Sequence, residues 1–556
     1  MRSRVDTSLH SSDGWRPGSL ALLLSLWLAL AGNLPLWRAL SVLPETAGWR
    51  GLLFSLGFAV WITAALMVLL SLLAWPRLIK PLAVLLLLAA AASSHFMLQY
   101  NVVIEATMMA NVFNTNAREV RDLLSWQLLL SFVLLAAVPL WWLLPRRIVR
   151  RPFGAQAWRN GLGAVVSLAM LSGITLASFQ DLASLMRNHK EVRYLINPLN
   201  VLYASGELIA DQLPQTRHQL QAIGLDVTPG ESYAGQQRAP LVVLVVGETA
   251  RAANFSLGAY ARPTNPKLGQ LKAAGGLTYY SAVHSCGTNT QASVPCMFSH
   301  LGKRDFEASH QPYENLLDVL QRAGLAVLWL DNQSGCKGQC DRVPHDTMQS
   351  LKVPGLCADG ECFDEIMLQG LDQRIAALDP ARRARGVVVV MHQMGSHGPA
   401  YYRRSPAAYK KFMPECASNI LKDCTREQLV NAFDNSIVYT DHMLASTARW
   451  LERQAADNKA DSAMIYVSDH GESLGENNLY LHGMPYALAP DFQTHVPMLT
   501  WLSAAMQKRS GIRVACLEQH AAAPLTHDNL FHSLLGLLDL QTSLYHKDKD
   551  WFARCR

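Results

Sequence analysis

Cysteine is missing from the first half of this chain: all ten cysteines stand at or after Cys286, which leaves no disulfide or thiolate metal site before it. Charge is nearly as scarce up to about residue 180, where it is confined to short intervals between runs of Leu, Ala and Trp. That scarcity excludes an ordinary soluble domain there, whereas beyond about residue 215 the composition is that of a soluble α/β protein. No internal repeat or low-complexity tract is present, which excludes a repeat architecture. Net charge is +6, but much of the excess sits in the intervals between apolar runs, so no nucleic-acid partner is implied.

What the first part has instead is five apolar runs long enough for a bilayer, which takes roughly 20 residues each. They cover Leu20 to Trp37, Gly51 to Trp75, Pro81 to Leu98, Leu123 to Leu144 and Gly161 to Ser178. The first is not read as a cleaved signal peptide, since four more follow. Arg2, Arg4 and Arg16 precede the first run. Arg77 and Lys80 separate the second from the third, and Arg146, Arg147, Arg150, Arg151 and Arg159 the fourth from the fifth. By the positive-inside rule those intervals and the N-terminus are cytoplasmic, and everything after the fifth run lies outside. The cysteines agree, because disulfides persist in oxidising compartments. Spacing suggests Cys286 with Cys296, Cys336 with Cys340, Cys357 with Cys362, Cys416 with Cys424, and by elimination Cys516 with Cys555. A zinc ribbon at Cys336 and Cys340 is disfavoured, since no second Cys or His pair stands at ribbon spacing.

Three domains are expected: a transmembrane part over 1–180 with an external loop at 100–122, an interfacial helical segment and linker over 181–240, and a catalytic α/β part over 241–556. In the loop, Asn111, Thr115 and Glu119 stack on one helical face, read either as solvated or as a lipid headgroup contact. Tyr194, Pro198 and Tyr203 suit an interfacial position, where aromatic tips meet headgroups. The last part alternates apolar runs with amphipathic stretches, which predicts a doubly wound sheet whose strand ends gather ligands.

Those ends are chemically loaded. LVVLVVG runs into Glu248, and AMIYVS runs into Asp469 and His470, an adjacent pair of good zinc ligands. Thr290 lies in a loop closed by Cys286 and Cys296, and a pinned hydroxyl beside a metal is a candidate nucleophile. His392, His397 and His482 are read as phosphate contacts, a leaving-group acid or ligands of a second metal. Lys337 offers a further positive charge to a phosphoryl oxygen. Taken singly, each of these residues has a bland reading as a cap, a salt bridge or a core histidine.

Together, GETAR, SCGTNTQASVPCMFS, GSHGP and SDHGESLGE behind five membrane spans closely resemble the lipid A phosphoethanolamine transferases, which include the mobile colistin-resistance enzymes. The resemblance implies an alkaline-phosphatase/sulfatase-like periplasmic domain on a bacterial inner-membrane anchor. It implies phosphatidylethanolamine as donor and a lipid A phosphate as acceptor, with reduced surface charge and polymyxin resistance as the consequence. It assigns Glu248, Thr290, Asp469 and His470 to one tightly bound Zn2+, Thr290 being the nucleophile. Thr288, Lys337, His392, His397 and His482 match positions that contact phosphoethanolamine or a second zinc, and Asn111, Thr115 and Glu119 match a headgroup site. Gln333 and Ser334 occupy a loop that varies in that family. Nothing demands a partner subunit, and a monomer is expected. The same chemistry on an inner-core sugar or glucan, a zinc-dependent headgroup hydrolase, and a non-catalytic sensor are the rival readings.

Overall fold

The computed structural model describes residues 14–115, 117–212, 219–309, 311–457 and 459–556. Arg2, Arg4, the start of the linker at Gln215 and the side chain of Glu119 lie outside that description. The chain divides into two compact units, one of residues 14–109 and 124–209, the other of 110–123 and 210–556.

The first unit is helical: α1 Pro17–Leu30, α2 Leu34–Ser41, α3 Gly48–Leu72, α4 Ile79–Tyr100, α5 Ala106–Asn114, α6 Ala117–Leu123, α7 Trp126–Leu143, α8 Phe153–Ala177, α9 Phe179–Asn188 and α10 Leu199–Gln212, with the division between units falling inside α5 and α6 belonging to the second unit. Four of these, α3, α4, α7 and α8, are long and apolar enough to cross a membrane, and the pair α1 and α2, bent by 43°, raises the number to five if counted as one span. The bend has a local cause. The chain leaves helical geometry at Gly32 and Asn33, and in hydrocarbon a freed carbonyl costs several kcal/mol unless another group bonds it. Ser94 Oγ (2.5 Å) and Asn197 Nδ2 (3.2 Å) both donate to the Gly32 carbonyl, while Asn33 Oδ1 accepts from the Asn197 backbone N–H at 2.7 Å. Asn197 Oδ1 in turn accepts from Ser93 Oγ at 2.7 Å. Thus the segment after α9 sends a fully buried asparagine among α1, α2 and α4.

In the second unit seven strands form one sheet: β1 Ala239–Gly247, β2 Leu277–Tyr280, β3 Ala326–Asp331, β4 His345–Thr347, β5 Val387–His392, β6 Ala460–Ser468 and β7 Met498–Leu502. Their order is β2-β7-β6-β1-β5-β3-β4. From β6 through β4 the neighbours are parallel, whereas β7 runs antiparallel to β6, and β2 antiparallel to β7. The sheet is therefore α/β as expected but mixed. The central strands are apolar without alternation because both faces are covered. Val242, Leu244 and Val246 face a core built with α11 Thr290–Met297, α12 Leu316–Arg322 and α14 Asp528–Leu537. Val243, Val245, Met464 and Tyr466 point to the opposite face and are equally buried, and α13 Arg426–Ala456 packs along β6. All five expected disulfides form.

Asn197→Ala removes the side-chain bond to the Gly32 carbonyl at the α1–α2 break and leaves buried Ser93 Oγ without its acceptor on Asn197. The expected cost is about 2–3 kcal/mol of stability, read as a lowered denaturation midpoint of the detergent-solubilised chain against Asn200→Ala as control.

Candidate active site

β1 and β6 lie side by side with Gly247 opposite Ser468, so Glu248 and Asp469 leave adjacent strands at the same level. Gly247 must lack a side chain, since a Cβ there would meet the Tyr466 ring at 2.6 Å. The turn after β1 places Thr249 at φ 61°, and its backbone N–H donates to Asp469 Oδ1 at 3.1 Å. Asp469 Oδ1 also accepts from the His470 N–H at 2.7 Å.

Thr290 comes from a different element. The sequence suggests a loop, whereas the structure makes Thr290 the first residue of α11, because Asn289 caps the helix by accepting from the Ala292 N–H at 2.9 Å. Ser293, one turn along, donates to the Asp469 carbonyl at 2.5 Å and so fastens α11 to the end of β6. The Thr290 hydroxyl then stands 3.1 Å from Glu248 Oε2 and 3.4 Å from His470 Nε2.

Glu248, Asp469 and His470 are wholly buried, with one potential ligand atom from each within 4.8 Å of the others. Burial alone would raise the Glu248 pKa, but the hydrogen bond and charge of His470 hold it well below the carboxylate range. Asp469 is pushed up by burial and then by the Glu248 charge. His470, although burial favours its neutral ring, is raised by Asp469 and Glu248. Asp469 Oδ2 has no hydrogen-bond partner. Two carboxylates, an imidazole and a hydroxyl, dry and crowded, are a donor set that fits a zinc ion, whose catalytic sites take N and O ligands and keep a position for substrate.

Around this centre, His392 ends β5 next to β1, with Nδ1 at 3.1 Å from Asp331 Oδ2 and a buried Nε2 that makes no hydrogen bond. The His482 ring is centred 4.2 Å from that of His470 and 5.9 Å from that of His397. Thr288 donates to the Met484 carbonyl at 2.6 Å. Lys337 is bonded to Ser334 Oγ at 2.8 Å, within its own loop, and Ser334 is bonded to Gln333. In the 110–123 segment Thr115 Oγ1 bonds back to the Asn111 carbonyl at 2.8 Å, and Asn114 Nδ2 reaches Gln291, the residue after Thr290, at 3.2 Å.

Two residues escape the sequence reading. Glu472 is buried 3.4 Å from His482 Nδ1, and burial pushes its pKa up to about 8. Its signal is present in the DHGE run. His527 has none: its Nδ1 accepts from the Cys286 N–H at 3.1 Å and its Nε2 bonds the Ser468 carbonyl at 3.0 Å, tying the start of the segment that leads to Thr290 to the end of β6.

Comparison with known proteins meets this geometry from another direction. The family model described as Sulfatase matches residues 240–540, and that described as Phosphoethanolamine transferase EptA/EptB matches residues 62–213. The phosphoethanolamine transferase EptA of Escherichia coli K12 is 39% identical over 96% of both chains. The chain belongs to the phosphoethanolamine transferase family. The phosphatidylethanolamine transferase Mcr-1 of Escherichia coli is 36% identical, covering 98% of this chain and 99% of its own. Among solved structures, the integral membrane lipooligosaccharide phosphoethanolamine transferase A of Neisseria meningitidis superposes with a TM-score of 0.89 at 36% identity, over 97% of this chain and 98% of that one. The two family matches divide this transferase much as its fold does, the EptA/EptB match lying over the helices from α3 to α10 and the Sulfatase match over the seven-stranded sheet.

The His527 hydrogen bonds fix the neutral ring, and burial holds its pKa down at about 4 from the ordinary 6.5. The unfolded chain therefore takes up the proton first as pH falls. The contribution is complete above pH 6.5, is lost between 6.5 and 4, and amounts to about 3 kcal/mol. Denaturant unfolding of the detergent-solubilised chain should lose that much more stability over this interval in wild type than in His527→Asn, which keeps an acceptor for Cys286 but does not titrate.

Proposed function

We propose that this enzyme transfers phosphoethanolamine from phosphatidylethanolamine to a phosphate of lipid A through a covalent ester on Thr290. The observation that supports it most is the Thr290 hydroxyl, held 3.1 Å from buried Glu248 and 3.4 Å from His470 at the head of a capped, disulfide-closed helix. A zinc ion held by Glu248, Asp469, His470 and Thr290 would supply Lewis acidity and lower the hydroxyl's pKa.

Thr290 Oγ, its proton given up to solvent as its pKa falls, attacks the phosphorus of the donor phosphodiester, and the P–O bond to glycerol breaks. The departing diacylglycerol oxygen takes a proton from a histidine of the His397–His482 pair. A lipid A phosphate oxygen, its proton passing to that histidine, then attacks phosphorus, the P–O bond to Thr290 breaks, and the deprotonated Thr290 Oγ is restored. His392 and Thr288 contact phosphoryl oxygens, while Asn111, Thr115 and Glu119 receive the donor headgroup. Lys337 adds positive charge to the approach of the phosphates. These pre-placed groups act mainly by position and by charge on the equatorial oxygens.

The reading places the chain in the bacterial inner membrane with its N-terminus cytoplasmic and its catalytic unit periplasmic. The basic intervals and the five disulfides support that orientation. Each transfer puts an ammonium group on an anionic phosphate, which weakens binding of cationic peptides. Cells expressing the chain should be less susceptible to polymyxin than cells expressing Thr290→Ala, and equal susceptibility would count against lipid A as acceptor.

Intact mass spectrometry of the purified full-length chain with phosphatidylethanolamine should show one phosphoethanolamine adduct, discharged by lipid A. Thr290→Ala should lack it and lose at least about a thousandfold in transfer rate. Discharge onto other glycans alone would replace the acceptor, and release of ethanolamine phosphate without an adduct would favour a hydrolase.

A further inference from the structure

Arg404 makes three sets of bonds from an almost wholly buried position. Its Nε donates to the His397 carbonyl at 2.8 Å, one terminal nitrogen to Glu361 at 3.1 Å and the other to Asp122 Oδ2 at 2.8 Å. Asp122 is 3% exposed and Arg404 5%; Arg403 takes the other Asp122 oxygen at 2.8 Å, and Asn419 donates to the Asp122 carbonyl at 2.8 Å. Asp122 lies near the end of α6, the last helix of the 110–123 segment. At its other end the same segment bonds the nucleophile helix through Asn114 and Gln291.

The segment is thus held at two points, one beside Thr290 and one on the His397 loop, with Asn111 and Thr115 on the stretch at its nucleophile end. A buried ion pair of this kind adds little stability over an apolar contact, and its best-attested use is to fix register. The guanidinium fork suits that purpose, since its planar geometry binds partners in set directions. We infer that Arg404 and Asp122 are positioning residues that lock the 110–123 segment to the His397 loop, so that capture of the lipid donor's headgroup and the histidine serving the leaving group are set by one guanidinium.

This rests on the transferase reading. It separates two kinds of donor: a lipid that must be captured by the segment, and a water-soluble aryl phosphoethanolamine diester that needs only Thr290 and its neighbours. Asp122→Asn is the informative variant, because Arg404 keeps Glu361 and the burial of its charge stays compensated. In the full-length enzyme, Asp122→Asn should raise the KM for phosphatidylethanolamine in mixed micelles at least about tenfold, with kcat and the aryl diester rate within about twofold of wild type. Asp122→Glu, which restores the charge, should recover part of the lost KM. Arg404→Gln, which also frees the His397 carbonyl, should lower kcat with both donors. An unmoved lipid KM in Asp122→Asn, or an equal loss on both donors, overturns the inference. Wild type inert toward both donors overturns the transferase reading and this inference with it, whereas an active wild type with an unmoved KM in the variant overturns this inference alone.

Discussion

Burying Glu248, Asp469 and His470 together beside a threonine hydroxyl is electrostatically expensive, and much of the second unit serves to make it happen. Two parallel strands in register bring the carboxylates level. A capped helix, closed by Cys286 and Cys296 and bonded by Ser293 to the Asp469 carbonyl, holds the hydroxyl against them. Without a cation the groups must share protons, with Asp469 and His470 driven towards their protonated forms and Glu248 kept ionised. A divalent ion would let all three act as ligands at once, and it would sit against the Thr290 hydroxyl.

The histidines around that centre follow from the same sheet. His392 stands one strand over from Glu248 and leans on Asp331, which holds its ring and raises its affinity for a proton although burial works against it. His482 and His397 approach from loops, and loops need fastening. The Arg404 guanidinium supplies it for His397, with Asp122 as its counter-ion.

Much of the catalytic unit could be read in the sequence because polar residues that follow a doubly buried strand have few other places to be. Glu248, Asp469 and His470 are such residues, and the disulfide spacing marked the Thr290 loop. What could not be read depends on contacts between distant segments. The reversed course of β7 between β6 and β2 leaves no trace in apolar runs, since both faces of that strand are covered in either direction. The helix at Thr290 depends on one asparagine cap, and His527 on backbone groups at Cys286 and Ser468. In the first unit, hydropathy located the spans but not the break between α1 and α2, which is stabilised by Asn197 from far along the chain.

The chemistry of this chain turns on what sits among those three buried groups. Zinc-edge X-ray absorption of the purified full-length chain, compared with Glu248→Gln, tests it most directly. One ion per chain is expected, in a sulfur-free shell of one imidazole nitrogen and oxygens, lost or much weakened in the variant. No stoichiometric zinc in wild type, or a shell containing sulfur, would contradict it.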